Sequence, residues 1–192
     1  MRLFIAINFT DKIKETVADI RDGLKEESLV GNFSFDENLH LTLIFLGECN
    51  YHQMNVIKTV MDNAVFTDFK LVLEKIGYFK RDGGNTWWIG IKESASLSDL
   101  QADLCSGLRQ KGFVLENRKF TPHITIGREV KMRIGYILPE IQHVDFKVTN
   151  IELMKSERIN GKQTYTSVYS KEAISHTSIH PPSTVMLSPS YK

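Results

Sequence analysis

Apolar and polar positions change period several times along this 192-residue chain. Residues 2–8, Arg2-Leu3-Phe4-Ile5-Ala6-Ile7-Asn8, are a short apolar run closed by Asn8-Phe9-Thr10-Asp11, the pattern of a largely buried strand. From Asp11 to about Glu27 the apolar residues fall at Ile13, Val17, Ile20 and Leu24, a spacing that predicts one helix face, with Thr10 placed to cap it. The same stripe recurs at Met54, Ile57, Met61 and Ala64 after Asn50, and at Leu97, Leu100, Leu104 and Leu108 between Ser96 and Gly112. Ser96 and Asp99 have capping-box spacing, which places the start of the third helix there. Segments rich in Ile, Val, Thr, Phe, Tyr and Trp predict strands at about 39–46, 69–76, 86–91, 113–116, 122–127, 145–154 and 163–169. Turn residues precede two of them, at Arg81-Asp82-Gly83-Gly84-Asn85 and Ile159-Asn160-Gly161-Lys162. Helices and strands interleave, so the expected class is α+β.

The order of these elements repeats. His40-Leu41-Thr42-Leu43 is followed by a helix, then Phe69-Lys70-Leu71-Val72-Leu73, then Trp87-Trp88-Ile89-Gly90. His123-Ile124-Thr125-Ile126 is followed by a less regular stretch, then Phe146-Lys147-Val148, then Tyr165-Thr166-Ser167-Val168-Tyr169. Two halves on one plan predict two lobes about a pseudo-twofold axis: two antiparallel sheets facing a central cleft, with helices outside. The two-lobed domain is expected over residues 1–173. The tail from 174 to 192, polar and interrupted by Pro181, Pro182 and Pro189, is expected to be mobile and non-catalytic, with His176 and His180 solvated.

Composition narrows the classes. Hydrophobic residues at 42%, aromatics at 10% and charged residues at 24% suit a globular chain with a real core, and the length excludes a large multidomain machine. Lys plus Arg number 24 against 23 Asp plus Glu, a net charge of +1 that gives no broad field for holding long nucleic acid, so contact with one must be local. Cys49 and Cys105 are too few for a disulfide framework and lack zinc-site spacing, which reads as reduced thiols in a cytoplasmic protein. The apolar N-terminal run is far below the roughly 20 residues of a membrane span, so neither export nor membrane insertion is implied. No H-E-x-x-H, C-x-x-C or carboxylate cluster appears, and no metal or cofactor is expected.

The candidate chemistry lies in the repeated H-x-T. In a strand, residues i and i+2 share a face, so His40 and Thr42 point one way while Leu41 and Leu43 point the other, and His123 with Thr125 behaves identically. Two imidazoles across a cleft are equipped for acid–base work near neutral pH, one as base and the other as acid. In-line displacement at phosphorus needs that asymmetric pair, and Thr42 and Thr125 each offer a hydroxyl donor to a non-bridging phosphate oxygen. Arg128 adds a forked cationic donor. Strict alternation sends residue 128 to the wrong face, so a bulge at Gly127 is expected to re-aim it.

With these residues in place the chain resembles the two-histidine (2H) phosphoesterase superfamily, and within it the RNA 2′,3′-cyclic phosphodiesterase family, also called 2′-5′ RNA ligase. The likeness is carried by Arg2-Leu3-Phe4-Ile5-Ala6-Ile7, by residues 38–48 around His40, by Phe120-Thr121-Pro122-His123-Ile124-Thr125-Ile126-Gly127-Arg128, by Trp88-Ile89-Gly90, and by Glu152-Leu153-Met154-Lys155-Ser156 with Gly161 and Tyr165. It spans about residues 1–173. The resemblance implies a bilobal α+β fold, a metal-independent reaction and opening of a terminal 2′,3′-cyclic phosphate on RNA to a 2′-phosphate, with reversible 2′-5′ ligation as a side activity. It also implies that His40 protonates the departing 3′ oxygen while His123 activates water. The expected partner is an RNA 3′ end or a nucleotide 2′,3′-cyclic phosphate, bound by a monomer. A 2′-5′ oligoadenylate or small cyclic nucleotide as substrate, or an RNA-end binding module without turnover, are the alternatives.

Other prominent residues have two readings. Phe33 and Phe35, in the stretch where the family often has an aromatic or proline-rich approach to the first histidine, either stack on a terminal base or belong to the core. Trp87 and Trp88 must face opposite sides of their strand, so at most one reaches the cleft. Lys80, Arg81 and Lys119 either guide an RNA backbone or simply solvate the fold, and His52 and His143 lack a motif partner.

Overall fold

A computed structural model describes residues 1–174 of the chain; the tail beyond, with His176 and His180, lies outside the described residues. The elements follow one another as β1 (Arg2–Asn8), α1 (Asp11–Glu26), β2 (Ser28–Phe33), a 3-10 turn (Asp36–Asn38), β3 (His40–Glu48), α2 (Tyr51–Asn63), β4 (Phe69–Phe79), β5 (Asn85–Ile91), α3 (Ala95–Gln110), β6 (His123–Met132), β7 (Asp145–Val148), β8 (Asn150–Ile159) and β9 (Lys162–Glu172). The fold is α+β, with a mostly antiparallel sheet and three helices among the described residues.

The helix starts show how local chemistry sets boundaries. Thr10 occupies the N-cap of α1, yet its side chain makes no capping bond; its carbonyl accepts from the Ile13 and Lys14 N–H groups instead. Asn50 caps α2 in a full box, accepting from the Gln53 N–H while the Gln53 side chain accepts from the Asn50 N–H. The box expected at Ser96 and Asp99 does not form. Ser94 has the extended backbone an N-cap needs and accepts from the Leu97 N–H, which draws Ser96 and Asp99 into the helix.

Two strand expectations are also corrected, and one strand is added. Residues 113–116 form no strand; Phe113 and Leu115 pack half-buried against the core without a pairing partner. The expected strand at 145–154 divides at Thr149, because β7 pairs with β4 whereas β8 runs between β1 and β9. The mostly exposed Ser28–Phe33 segment, with little apolar pattern, gains its strand from pairing with β6.

The strands are joined in the order β7-β4-β5-β6-β3-β1-β8-β9, with β2 beside β6. Rather than two separate sheets, one hydrogen-bonded path runs through the molecule, narrowed at its centre to the single β3–β6 pair Leu41↔Ile124. The halves of the chain are interleaved along it. The hairpin β4–β5, which follows the first histidine strand in sequence, lies beside the second, and β8–β9, which follows the second, lies on the side of the first.

One face of this sheet carries the core. Leu3, Ile5, Ile7, Leu41, Ile89, Ile124, Ile126, Ile151 and Leu153 join a cluster with Val17 and Leu24 of α1, Ile57 and Met61 of α2, and Leu97, Leu104 and Leu108 of α3. The helices therefore lie behind the apolar face. By the period of two, the opposite face is left for Phe4, Ala6 and Asn8, for His40 and Thr42, and for His123 and Thr125.

Candidate active site

His40 is the first residue of β3 and His123 the first of β6. The antiparallel register Leu41↔Ile124 sets His40 beside Thr125 and Thr42 beside His123. Leu41 and Ile124 are fully buried, so all four polar neighbours are turned to the other face, where each is half-buried. Diagonal neighbours in such a ladder are roughly 7–8 Å apart, within reach of long and aromatic side chains on the same face.

The two rings are held in the same way. The His40 Nδ1 lies 2.7 Å from the Asn38 carbonyl, and the His123 Nδ1 lies 2.6 Å from the Thr121 carbonyl, in each case the backbone two residues earlier. A carbonyl only accepts, so each Nδ1 carries the proton and each neutral ring keeps its lone pair on Nε2. The Thr42 hydroxyl donates to the His40 Nε2 over 3.0 Å. The His123 Nε2 has no hydrogen-bond partner among the described residues.

Electrostatics keep both rings neutral. Burial pushes the His40 pKa down to about 4; the Asn38 carbonyl works against this, while the charges of Arg128 and Lys14, and of His123 when it is protonated, add to it. His123 is also lowered, first by burial and then by Arg118 and Arg128, against the raising effect of the Thr121 carbonyl. Arg128 thus acts on both histidines. A bulge accounts for its placement: Trp88 pairs with Thr125 and Trp87 with Gly127, which leaves Ile126 as the extra residue. Ile126 and Gly127 are buried in succession and Arg128 emerges exposed, so the interruption falls one residue before the expected glycine.

Each imidazole also sits among aromatic rings. His40 packs 4.9 Å from Phe4 and edge-on to Tyr165 at 5.1 Å, centroid to centroid. His123 packs edge-on to Phe79 at 5.1 Å and lies 6.1 Å from Trp88. Trp88 is therefore the tryptophan on the histidine face, and Trp87, 1% exposed, is core. A Cβ at Gly77 would overlap the Trp88 ring, so the missing side chain there makes room for the indole. Phe79, Arg118 and Lys14 carry no motif signal in the sequence, and Phe4 stands there only as part of the apolar run at residues 2–8.

The remaining candidates lie elsewhere. Phe33 packs against the core, and Phe35 is half-exposed with the Lys162 ammonium 4.2 Å from its ring centroid. Lys80, Arg81, Lys119 and His52 are exposed, and exposed His143 faces Asp145. Among the described residues, no group of three or more His, Cys, Asp or Glu is placed to hold a metal ion, and no helix is long and apolar enough to cross a membrane.

A family model described as the 2′-5′ RNA ligase superfamily matches residues 9–160. The chain is 35% identical over 131 residues to an RNA 2′,3′-cyclic phosphodiesterase of Thermotoga maritima, covering 67% of this chain and 70% of that protein. It is 37% identical over 131 residues to an RNA 2′,3′-cyclic phosphodiesterase of Archaeoglobus fulgidus, covering 67% and 72%. The crystal structure of Escherichia coli LigT complexed with 3′-AMP is similar at a TM-score of 0.79 and 28% identity, over 90% of this chain and 97% of that one.

Proposed function

This chain belongs to the 2′-5′ RNA ligase superfamily, and on that premise we propose that it is an RNA 2′,3′-cyclic phosphodiesterase working through His40 and His123. The observation that carries the reading is the matched pair of imidazoles, each tied by Nδ1 to the carbonyl two residues back and each flanked by a threonine on one open face. On this reading residues 1–173 act as one two-lobed unit whose halves meet about a pseudo-twofold axis at the β3–β6 pair. The like surroundings of the two rings support it.

The chemistry follows from the proton positions. His123, neutral with a free Nε2, takes a proton from water; the water oxygen forms a bond to phosphorus; the bond to the ribose 3′ oxygen breaks, and His40 delivers a proton to that oxygen. A 2′-phosphate remains. His40 must first hold a proton on Nε2, which burial opposes in the free protein. The negative charge of a phosphodiester beside the ring offsets that opposition. Once Nε2 is protonated, the Thr42 hydroxyl is released from it to donate to a non-bridging oxygen, matched by Thr125 from the other strand, while Arg128 offsets the charge gathering on the phosphoryl group. An RNA 5′-hydroxyl in place of water gives a 2′-5′ linkage by the same steps, and the reverse reaction breaks it.

The test is turnover of an oligonucleotide bearing a terminal 2′,3′-cyclic phosphate, with identification of the product phosphate. His40→Ala and His123→Ala each lower kcat by about 10²–10⁴-fold, the range expected for removing a positioned acid or base, with circular dichroism unchanged. Near-normal turnover by either variant overturns the assignment.

A further inference from the structure

On the histidine side of the sheet, beyond the buried Phe4, Ala6 and Met154, lies a concavity. Arg2 of β1 shares a face with Phe4, and pairs with Ser156 of β8, which pairs in turn with Tyr165 of β9. Along that face a cavity of about 370 Å³ is lined by Met1, Arg2, Glu48, Ser156, Arg158 and Gln163, with Lys155 and Glu157 at its side. Two of its charge pairs are internally balanced: the Met1 ammonium with Glu48, and Lys155 with Glu157. Arg2 and Arg158 have no carboxylate partner among the described residues; the Arg2 guanidinium lies 5.0 Å from the centroid of the Phe45 ring. The Ser156 hydroxyl accepts from the Gln163 amide over 2.9 Å, which leaves its own proton available to an acceptor.

From these observations we propose that this cavity binds the phosphodiester immediately upstream of the reacting nucleotide, so that the enzyme is built for an RNA end rather than for a free cyclic mononucleotide. The inference rests on the preceding assignment. His40 protonates an oxygen that stays on the ribose, so the nucleoside must lie on the His40 side of the phosphorus. There it meets the exposed Phe45 and the half-buried Tyr165, whose rings pack on the buried Phe4 at 6.4 and 5.1 Å and offer aromatic surface to a base. Ala6 pairs with Thr42, and the four residues from Ala6 back to Arg2 span roughly 13 Å of strand, the reach of one to two nucleotides once the arginine side chain is counted. Two uncompensated guanidiniums and a hydroxyl at that distance are donors suited to an anionic phosphodiester.

The experiment compares kcat/KM for cytidine 2′,3′-cyclic phosphate with that for a trinucleotide ending in the same group. The expected result is a preference of tenfold or more for the trinucleotide, which declines with rising salt as a charge-driven phosphate contact requires. In the Arg2→Ala/Arg158→Ala variant that preference falls to within about threefold of unity, and Arg158→Lys keeps an intermediate value. Equal kcat/KM for the two substrates in the native protein, or an undiminished preference in the double variant, overturns the proposal while leaving the phosphodiesterase assignment intact. Failure to turn over either substrate overturns both.

Discussion

At the scale of single residues, the proposed mechanism makes the histidines and the charge beside them govern how activity depends on pH. Both pKa values are lowered from 6.5, His40 to about 4, so the kcat/KM profile of the free protein is bell-shaped with its optimum below 6.5. Arg128 contributes to both shifts, and a positive neighbour disfavours the imidazolium. Arg128→Gln therefore moves both limbs to higher pH while lowering kcat, and a pH series from 4 to 9 on a cyclic phosphate substrate reads the two effects separately. Limbs that stay in place would detach Arg128 from the histidines. The H-x-T pairs were legible in the sequence because a period of two needs only three consecutive residues. The rings around them were not: Phe4 and Tyr165 meet at His40 from opposite ends of the chain, and which of Trp87 and Trp88 faces the cleft depends on the register of β5 with β6.

At the scale of elements, caps and close packing give measurable stability differences. Ser94→Ala removes the capping bond of α3 and costs about 1 kcal/mol, whereas Ser96→Ala, inside the helix, stays within about 0.5 kcal/mol; urea unfolding of the two variants checks which serine is the cap. Gly77→Ala drives a Cβ into the Trp88 ring and costs about 1–3 kcal/mol in the same assay, with a change in Trp88 fluorescence. Helices were legible because an apolar stripe over three or four turns is a long signal. The strands were read less well where pairing, rather than side-chain pattern, decides the outcome. Exposed Ser28–Phe33 becomes β2 by joining β6, while Phe113 and Leu115, with better alternation, find no neighbour and remain loop.

At the scale of the whole molecule, the site and the stability of the fold are linked through His40. The unfolded chain takes up a proton on this residue near pH 6.5, but the folded protein resists it until about pH 4. Between those values the unfolded state binds more protons, so acidification through this window destabilises the native fold. The Tm is expected to fall as pH is lowered from 6.5 toward 4, and to fall less steeply in His40→Gln; equal slopes would remove His40 from that balance. The α+β class was legible in the sequence. The path of the sheet was not, because it depends on pairing Leu41 with Ile124, residues 83 positions apart, and no local pattern specifies which strand meets which over that separation.

The exchange of hairpins between the halves has a consequence for how the protein is made. The surroundings of His40 are completed by Tyr165, and those of His123 by Phe79 and Trp88. A nascent chain emerging from the ribosome therefore carries its first histidine for more than a hundred residues before the last strand arrives to flank it. A polypeptide severed in the loop between α3 and β6 should yield two pieces that are inert alone and regain turnover only when mixed.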